Sequence, residues 1–390
     1  MSSSNSEDST NSDATIAPSS STPHRTKRKT KKVVLNHTQR KLYASERMIN
    51  FRWISRMLAS CCSHVLGKDD LAPQEVVDEL GRIGQFSELV YTLNSSKLDM
   101  QFMFDNVEQL SQPRFPLEKY DMIRQSLLVD WFYGRTAGLP VLLAYCPATS
   151  QLVLAISGTA SLQHAIYDVR TLKHRHPSRR GSVHTGFWHL YKGLRGAAKA
   201  ALRSALQRHE ISEVVVTGHS MGGAIAYLLT LDLLAADEDV LPPSTSLKLV
   251  AFGAPRVGDA GLAKYWRELR DTYVARRGEK SFTEYMVKAY NDGVPSLPPL
   301  FFGFRHFTRT PFYLSSDHVF CIPSCESECA LFEVNIEDHA PMYPRGGHNY
   351  YNGRDFEGLN RRLARLEKSR FKSDGWIQRY ETLTKKCHNH

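Results

Sequence analysis

The fold is decided by the stretch Val214-Val215-Val216-Thr217-Gly218-His219-Ser220-Met221-Gly222-Gly223-Ala224. Its β-branched start predicts a buried strand, and the helix formers that continue to about Ala236 predict a helix. Glycines two positions before and after the serine (Gly218, Gly222) let strand and helix approach closely, so that Ser220 takes a strained backbone. We therefore expect a nucleophile elbow here, with His219 beside the serine. A glycine-rich turn without chemistry is the alternative.

A helix that begins beside Ser220 presents backbone N–H groups and its positive dipole end, which makes the Met221 N–H a natural donor to an oxyanion. A second donor is expected at Thr159, since the predicted strand Gln151–Ile156 runs into Ser157-Gly158-Thr159. An ordinary junction between strand and loop is the alternative. Because serine alone is a poor nucleophile, this interpretation requires a histidine base and a carboxylate.

A short amphipathic helix is predicted directly after Thr159. Its apolar positions recur at intervals of three and four residues, namely Leu162, Ala165, Ile166 and Val169. Such a segment can cover an active site in water and turn its apolar face to an oily surface, which is the behaviour of a lid. A fixed surface helix is the alternative.

Further buried strands are predicted by apolar runs at Leu139–Tyr145, Gln151–Ile156, Leu247–Phe252 and Met286–Tyr290. The fold class is therefore α/β, with a mostly parallel central sheet flanked by helices. Asp292 follows the last of these strands, where the orienting acid of a doubly wound hydrolase is placed. An Asp-Gly turn without chemistry is the alternative.

The chain is expected to have four parts. They are a disordered Ser-rich and then basic arm at 1–47, an amphipathic segment for a membrane surface at 48–68, the hydrolase domain at 69–371 and a C-terminal tail at 372–390. Residues 24–56 contain eleven Lys or Arg against Glu46, a net charge of +10. The first 56 residues carry +7 of the chain's +10, so the basic character belongs mainly to the arm.

The basic arm has three interpretations: a solvated tail, attraction to an anionic membrane or lipid droplet, and a nuclear-import-like or nucleic-acid contact. The segment after it favours lipid, because Phe51, Trp53 and neighbouring arginines mix as in an interfacial helix. Acylation of Cys61 and Cys62 would add to this. A helix packed on the domain is the alternative. We expect no nucleic-acid partner, since no reading motif is present.

An intracellular protein, either cytoplasmic or held peripherally at a membrane, is the simplest expectation, because no apolar signal region and no run of about 18 apolar residues is visible. Seven cysteines agree with a reducing compartment. The even spacing of Cys321, Cys325 and Cys329 raises the question of a metal, but the usual close Cys-x-x-Cys pairs are missing. We expect no metal, and the state of this cluster stays open.

Four blocks of the sequence resemble the class 3 lipases, an α/β-hydrolase family that includes fungal triacylglycerol lipases and diacylglycerol lipases. The blocks are Ile156–Thr159 with Val183–Phe187, Thr217–Ala224, Phe252–Gly258 and Asn291–Pro299, and they occur in the family's order. The resemblance extends over roughly residues 150–355. One departure is Ser157, where family members usually have arginine.

Carried over position by position, the resemblance implies Ser220 as nucleophile, Asp292 as acid, and Thr159 with Met221 as the oxyanion hole. It implies His348 as the base, because this residue precedes an aromatic pair and the last long helix. His339 is the rival base. His306 matches a structural histidine after the proline-rich turn.

The resemblance thus implies a serine hydrolase that cleaves acylglycerols or other lipid esters through an acyl-enzyme, with no cofactor. Alternatives are a feruloyl-type carboxylesterase or a phospholipase of the same fold, and a lipase-like scaffold or binding protein. The acyl length, the ester cut and the oligomeric state do not follow from the sequence.

Overall fold

The computed structural model describes residues 34–95, 99–158, 172–236, 240–336 and 341–388. Contacts between residues divide the chain into two units, a segment Met1–Val34 and a body Leu35–His390. The segments 48–68 and 372–390, which are separate from the hydrolase domain in the sequence-based division, lie within this body.

The helices of the described residues are α1 His37–Ala44, α2 Arg52–Leu58, α3 Gln74–Leu89, α4 Thr92–Ser95, α5 Met100–Asp105, α6 Val107–Leu110, α7 Asp121–Arg124, α8 Thr185–Arg208, α9 Met221–Ala235, α10 Ala260–Arg277, α11 Gly358–Lys368 and α12 Trp376–His388. The strands are β1 Cys61–Leu66, β2 Leu127–Tyr133, β3 Pro140–Cys146, β4 Gln151–Ile156, β5 Lys173–Arg175, β6 Ser182–His184, β7 Glu213–His219, β8 Ser246–Phe252, β9 Gly258–Asp259, β10 Phe282–Ala289, β11 Phe304–Arg305, β12 Phe312–Ser315, β13 His318–Cys321, β14 Leu331–Val334, β15 Tyr350–Tyr351 and β16 Arg354–Asp355.

An eight-stranded mixed sheet forms the centre of the body, in the order β13-β12-β10-β8-β7-β4-β3-β2. The strands from β4 to β12 pair in parallel, and both edges end in antiparallel pairs. The expected mostly parallel sheet with helices on both sides is therefore observed. A smaller antiparallel sheet has the order β11-β9-β6-β5.

Strand β7 lies in the middle of the sheet and contributes to a core on each face. Val214 and Val216 belong to one apolar cluster, which also contains residues of α8, α9 and α10. Val215 belongs to the second cluster, with residues of α3 and α11. Alternate side chains of a strand point to opposite faces, so a sheet covered on both sides needs an uninterrupted apolar run such as this one.

Helix α9 is buried on all sides, as its apolar sequence requires, and it packs between the sheet and helices α8 and α10. Its first residue, Met221, follows directly after β7 and Ser220. Parallel strands bring their carboxyl ends to one edge of a sheet. Ser220 after β7 and Asp292 after β10 are consequently placed on the same edge.

The segment 48–68 is not one amphipathic helix in the structure. It contains the two-turn helix α2 and then strand β1, which pairs in parallel with β14. On α2, Ile54 is buried in the core, whereas Trp53 and Met57 are 47% and 71% exposed. The segment is thus packed on the body through one face and carries apolar side chains on the other.

None of the helices within the described ranges has both the length and the apolar character to cross a membrane.

Candidate active site

Ser220 occupies the sharp turn between β7 and α9 with φ 61° and ψ −129°. This conformation is costly for a residue with a side chain, and such strain persists only where the surroundings impose it. Here the Ser220 N–H donates to the Phe252 carbonyl at 2.8 Å, and the Ser220 carbonyl accepts from the Gly223 N–H at 3.0 Å. The strand, the helix and the neighbouring strand β8 therefore fix the serine backbone together.

The glycines on either side of Ser220 are required by space. A Cβ on Gly222 would lie 2.1 Å from the Ile156 carbonyl oxygen, and a Cβ on Gly218 would lie 2.4 Å from the Gly222 carbonyl carbon. Both contacts are far inside van der Waals distance and involve backbone atoms, which cannot turn away as a flexible side chain can. The close approach inferred from the Gly-x-Ser-x-Gly turn is thus present.

The structure brings Asp292 and His348 together on the same edge of the sheet. His348 Nδ1 lies 2.9 Å from Asp292 Oδ2, and both side chains are buried. Asp292 Oδ2 also accepts from the Tyr351 hydroxyl, and Oδ1 accepts from the Val294 N–H at 2.9 Å. These hydrogen bonds fix the position of the Asp292 side chain, and its contact with Nδ1 leaves Nε2 of the His348 ring available to act as a base.

His219 lies between the elbow and His348. Its ring stands 4.4 Å from the His348 ring, and its Nε2 lies 2.8 Å from the His348 carbonyl oxygen. Burial lowers the pKa of His219 well below its ordinary value, with a further contribution from His348, so the ring is neutral. Since a carbonyl only accepts, Nε2 carries the proton, and Nδ1 accepts from the Tyr91 hydroxyl at 2.9 Å. His219 is thus a positioning residue for His348.

Ser220 Oγ and His348 Nε2 are both buried, and neither has a hydrogen-bond partner within the described part of the chain. Buried polar atoms without a partner are uncommon and call for an explanation. Ser220 follows His219 directly in the chain, and the His348 ring contacts the His219 ring. The arrangement keeps one hydroxyl and one ring nitrogen of the same site available for reaction.

The N-terminal part of the body holds His348 from the other side. We call residues 46–58 the strap. The His348 N–H donates to the Asn50 carbonyl at 2.8 Å, and the Phe51 and His348 rings pack nearly at right angles with 5.3 Å between their centroids. Arg52 joins the strap to the loop before the histidine through its Nε and the Gly346 carbonyl at 2.8 Å.

Arg52 is itself held inside the strap. Its guanidinium forms a salt bridge with Glu46, and both side chains are largely shielded from water. Glu46 also accepts from the Tyr350 hydroxyl at 2.6 Å. The strap is thus hydrogen-bonded to the chain both before and after His348, at Gly346 and Tyr350.

Of the expected oxyanion groups, the structure describes Met221, whose N–H lies at the first position of α9 and so has no acceptor within that helix. Thr159 lies outside the described residues, as do the lid candidates Leu162, Ala165, Ile166 and Val169 and the rival base His339.

Ser157, which departs from the usual arginine, is part of a small hydrogen-bonded group. Its hydroxyl donates to the Gly158 carbonyl at 2.7 Å and accepts from the Asn94 amide at 2.6 Å. The loop before Thr159 is therefore tied to the end of α4 through neutral groups, in the absence of a charge at position 157.

His306 lies away from the reacting atoms. Its Nε2 bonds to the Pro295 carbonyl at 2.9 Å, and burial, together with nearby Lys288 and Arg256, lowers its pKa well below the ordinary value. It is a neutral histidine that fastens the proline-rich turn, as the resemblance implied.

With this geometry established, the comparisons with known proteins become informative. The sequence model of the family described as Lipase (class 3) matches residues 153–302. Over these residues the chain is similar to the class 3 lipase family. A lipase of Rhizomucor miehei is 32% identical over 156 residues, which are 40% of this chain and 39% of that protein. A secreted mono- and diacylglycerol lipase of Penicillium cyclopium is 33% identical over 159 residues, 40% of this chain and 46% of that protein.

The solved structure of a triacylglycerol lipase, described as having a serine protease triad as its catalytic centre, aligns with 74% of this chain and 98% of its own chain. The TM-score is 0.55 and the sequence identity 21%. This likeness shows the fold, and the expected α/β-hydrolase fold is confirmed. The chain spans less than half the length of the curated relatives that it matches.

Sequence reasoning missed the residues that hold the candidate active site in place from a distance. Tyr351 enters the sequence argument only as part of an aromatic pair, and nothing in its position indicates a bond to Asp292. Tyr91 and Phe51 lie far from His219 and His348 in sequence. Their role could have been found only from the fold.

Proposed function

We propose that this chain is an acylglycerol lipase that acts as a serine carboxylic ester hydrolase. One observation carries the proposal: the Asp292–His348 pair, joined at 2.9 Å, lies against an elbow on which Ser220 is held at φ 61°. A nucleophile, a base and an orienting acid in this arrangement serve acyl transfer. The names of the relatives, lipase and mono- and diacylglycerol lipase, support acylglycerols as substrates.

In the proposed mechanism the Ser220 hydroxyl attacks the ester carbonyl while His348 Nε2 takes its proton. Asp292 stabilises the imidazolium that forms, and the Met221 N–H donates to the tetrahedral oxyanion. Thr159 is the proposed second oxyanion group. His348 then protonates the leaving alcohol, and water hydrolyses the acyl-enzyme by the same route.

The test is hydrolysis of a short-chain and a long-chain acylglycerol by the purified protein. Ser220→Ala and His348→Ala should each lower kcat by a factor on the order of 10⁴ to 10⁶, because triad members act as a unit. His339→Ala should retain activity, and a fluorophosphonate should label Ser220. If activity survives His348→Ala and is lost in His339→Ala, the base is His339. Absence of hydrolysis of any ester would favour a lipase-like scaffold or binding protein. Preference for a soluble ester would favour a carboxylesterase, and preference for a phospholipid would favour a phospholipase.

We also propose that the exposed face of α2 contacts the lipid surface that presents the substrate. Trp53 and Met57 project from it, and the buried face of the same helix packs against Gly293, beside Asp292. The basic arm upstream would add attraction to anionic lipid. Trp53→Ala with Met57→Ala should weaken binding to anionic vesicles and leave hydrolysis of a soluble short-chain ester unchanged. Retained vesicle binding would remove α2 from the contact. Location inside the cell stays a prediction.

A further inference from the structure

Cys62 on strand β1 lies beside Glu326 and Cys329, which are close to each other but far from Cys62 in sequence. The Sγ atoms of Cys62 and Cys329 and a carboxylate oxygen of Glu326 all lie within 4.8 Å of one another, and the three residues are half-buried. Of the cysteines that the sequence grouped by spacing, only Cys329 belongs to this cluster. Its partner, Cys62, is contributed by the N-terminal part of the body.

The carboxylate of Glu326 is oriented by its own hydrogen bonds. Its Oε1 accepts from the backbone N–H groups of Ser63 and His64, each at 3.2 Å. Its Oε2 is buried and has no hydrogen-bond partner among the described residues. A carboxylate that is held through one oxygen and lies beside two thiols has the arrangement of a metal ligand supported by surrounding donors.

The backbone around the two cysteines is fixed as well. Strand β1 pairs with β14, with an irregularity in the pairing between Cys61 and Val65 that spans Cys62. The Cys329 N–H donates to the Glu326 carbonyl at 2.9 Å, and Lys288 Nζ donates to the Cys329 carbonyl at 2.8 Å. The three donor groups are thus attached to segments that do not need to fold around an ion.

We propose that Cys62, Glu326 and Cys329 form a zinc site. Thiolate and carboxylate ligands at about 2.3 and 2.1 Å from a tetrahedral Zn²⁺ would be about 3.5 to 3.8 Å apart, which the observed cluster reaches with a small contraction. Two thiolates select zinc over calcium or magnesium, which prefer oxygen ligands. Binding releases both thiol protons to water and forms two Zn–S bonds and one Zn–O bond. A water completes the fourth position.

Zinc here would fasten β1 to the chain before β14. Only two residues separate the strap that holds His348 from β1. The metal would therefore stabilise the element next to the strap and would take no part in the reaction. Cys61 lies beside Cys62 and Cys325 beside Glu326, yet neither belongs to the cluster, and both side chains are exposed. They provide matched controls of the same chemistry in the same segments.

The experiment uses the untagged full chain, reduced, stripped with EDTA, and then titrated with ZnCl₂ against a chromophoric chelator. We expect one zinc per chain, a thiolate-to-cobalt charge-transfer band on substitution with Co²⁺, and a rise in the thermal unfolding midpoint. Cys62→Ser, Cys329→Ser and Glu326→Gln should each weaken zinc binding by at least about tenfold. Cys61→Ser and Cys325→Ser should retain it.

Circular dichroism of each stripped variant shows whether it folds, and Glu326→Gln keeps both thiols should a serine variant fail. Three results would overturn the zinc site. They are less than stoichiometric zinc in the wild type, equal loss in the Cys61 and Cys325 controls, and a Cys62–Cys329 disulfide as the stable state of the freshly isolated protein. Because metal binding is measured without substrate, the outcome is independent of the proposed hydrolysis.

Discussion

Replacing Phe51 tests whether the strap positions His348, the proposed base. The Phe51 side chain is 4% exposed, and its ring packs nearly at a right angle to the His348 ring. An edge-to-face aromatic pair contributes about 0.5 to 1.5 kcal/mol beyond burial. If that energy orients His348, its loss lowers kcat by about twofold to tenfold, since about 1.4 kcal/mol corresponds to a factor of ten. Phe51→Leu removes the ring and keeps most of the apolar burial.

We therefore expect Phe51→Leu to lower kcat on a soluble short-chain ester within that range, with KM little changed. Phe51→Ala should in addition lower the free energy of unfolding by about 3 to 5 kcal/mol, because it leaves a cavity. Trp53→Leu is the control, since this residue lies two positions further along the strap and its side chain is 47% exposed. A folded Phe51→Leu protein with the kcat of the wild type would refute the positioning role of the strap.

Three further outcomes depend on single contacts. Gly222→Ala should lower the free energy of unfolding in urea by at least about 1 to 3 kcal/mol, because the new Cβ meets the Ile156 carbonyl; unchanged stability would contradict that contact. Tyr351→Phe should cost about 1.5 to 3 kcal/mol in the same assay by removing the hydroxyl that donates to Asp292, and no loss would mean that this bond contributes nothing. Burial lowers the pKa of Lys288 from 10.5 to about 7, so unfolding takes up a proton between these values. With EDTA present, the free energy of unfolding should therefore rise from pH 7 to 9 relative to that of Lys288→Met, by at most about 1.4 kcal/mol per pH unit. Parallel pH profiles of the two proteins would speak against a neutral Lys288.

The elbow could be predicted because its determinants are local. A β-branched run, two glycines and a row of helix formers specify strand, turn and helix within a short stretch, and the close contacts of Gly218 and Gly222 show why no other residue fits. Asp292 follows from the same logic, since it ends a strand at the carboxyl edge. His348 lies on irregular chain, where periodicity gives no signal, so its choice as the base over His339 rests on the resemblance to a family and stays a prediction.

Residues 48–68 show what local reasoning leaves open. Aromatic and arginine side chains there suit both an interfacial helix and a helix packed on protein. The surface against which the helix packs decides between the two. It is formed by Gly293, Gly346 and His348, about 240 to 300 positions away in the sequence. Likewise, nothing in the sequence around Cys62 shows that β14 and Cys329 lie beside it. Contacts of this range depend on the completed fold.

The contacts of His348 also bear on which part of the chain is needed for activity. The sequence places the hydrolase domain at 69–371, yet Asn50 and Phe51 contact His348 directly, and the body begins at Leu35. Loops are mobile unless they are tied to packed elements. A protein of residues 69–390 lacks the strap and β1, so it should lose most of the hydrolysis of a soluble short-chain ester, whereas residues 35–390 should retain it. Comparing kcat of the two truncated proteins with the full chain, after circular dichroism has shown that both are folded, measures the effect. Equal activity of a folded 69–390 protein would mean that Asp292 and His219 suffice to hold the base.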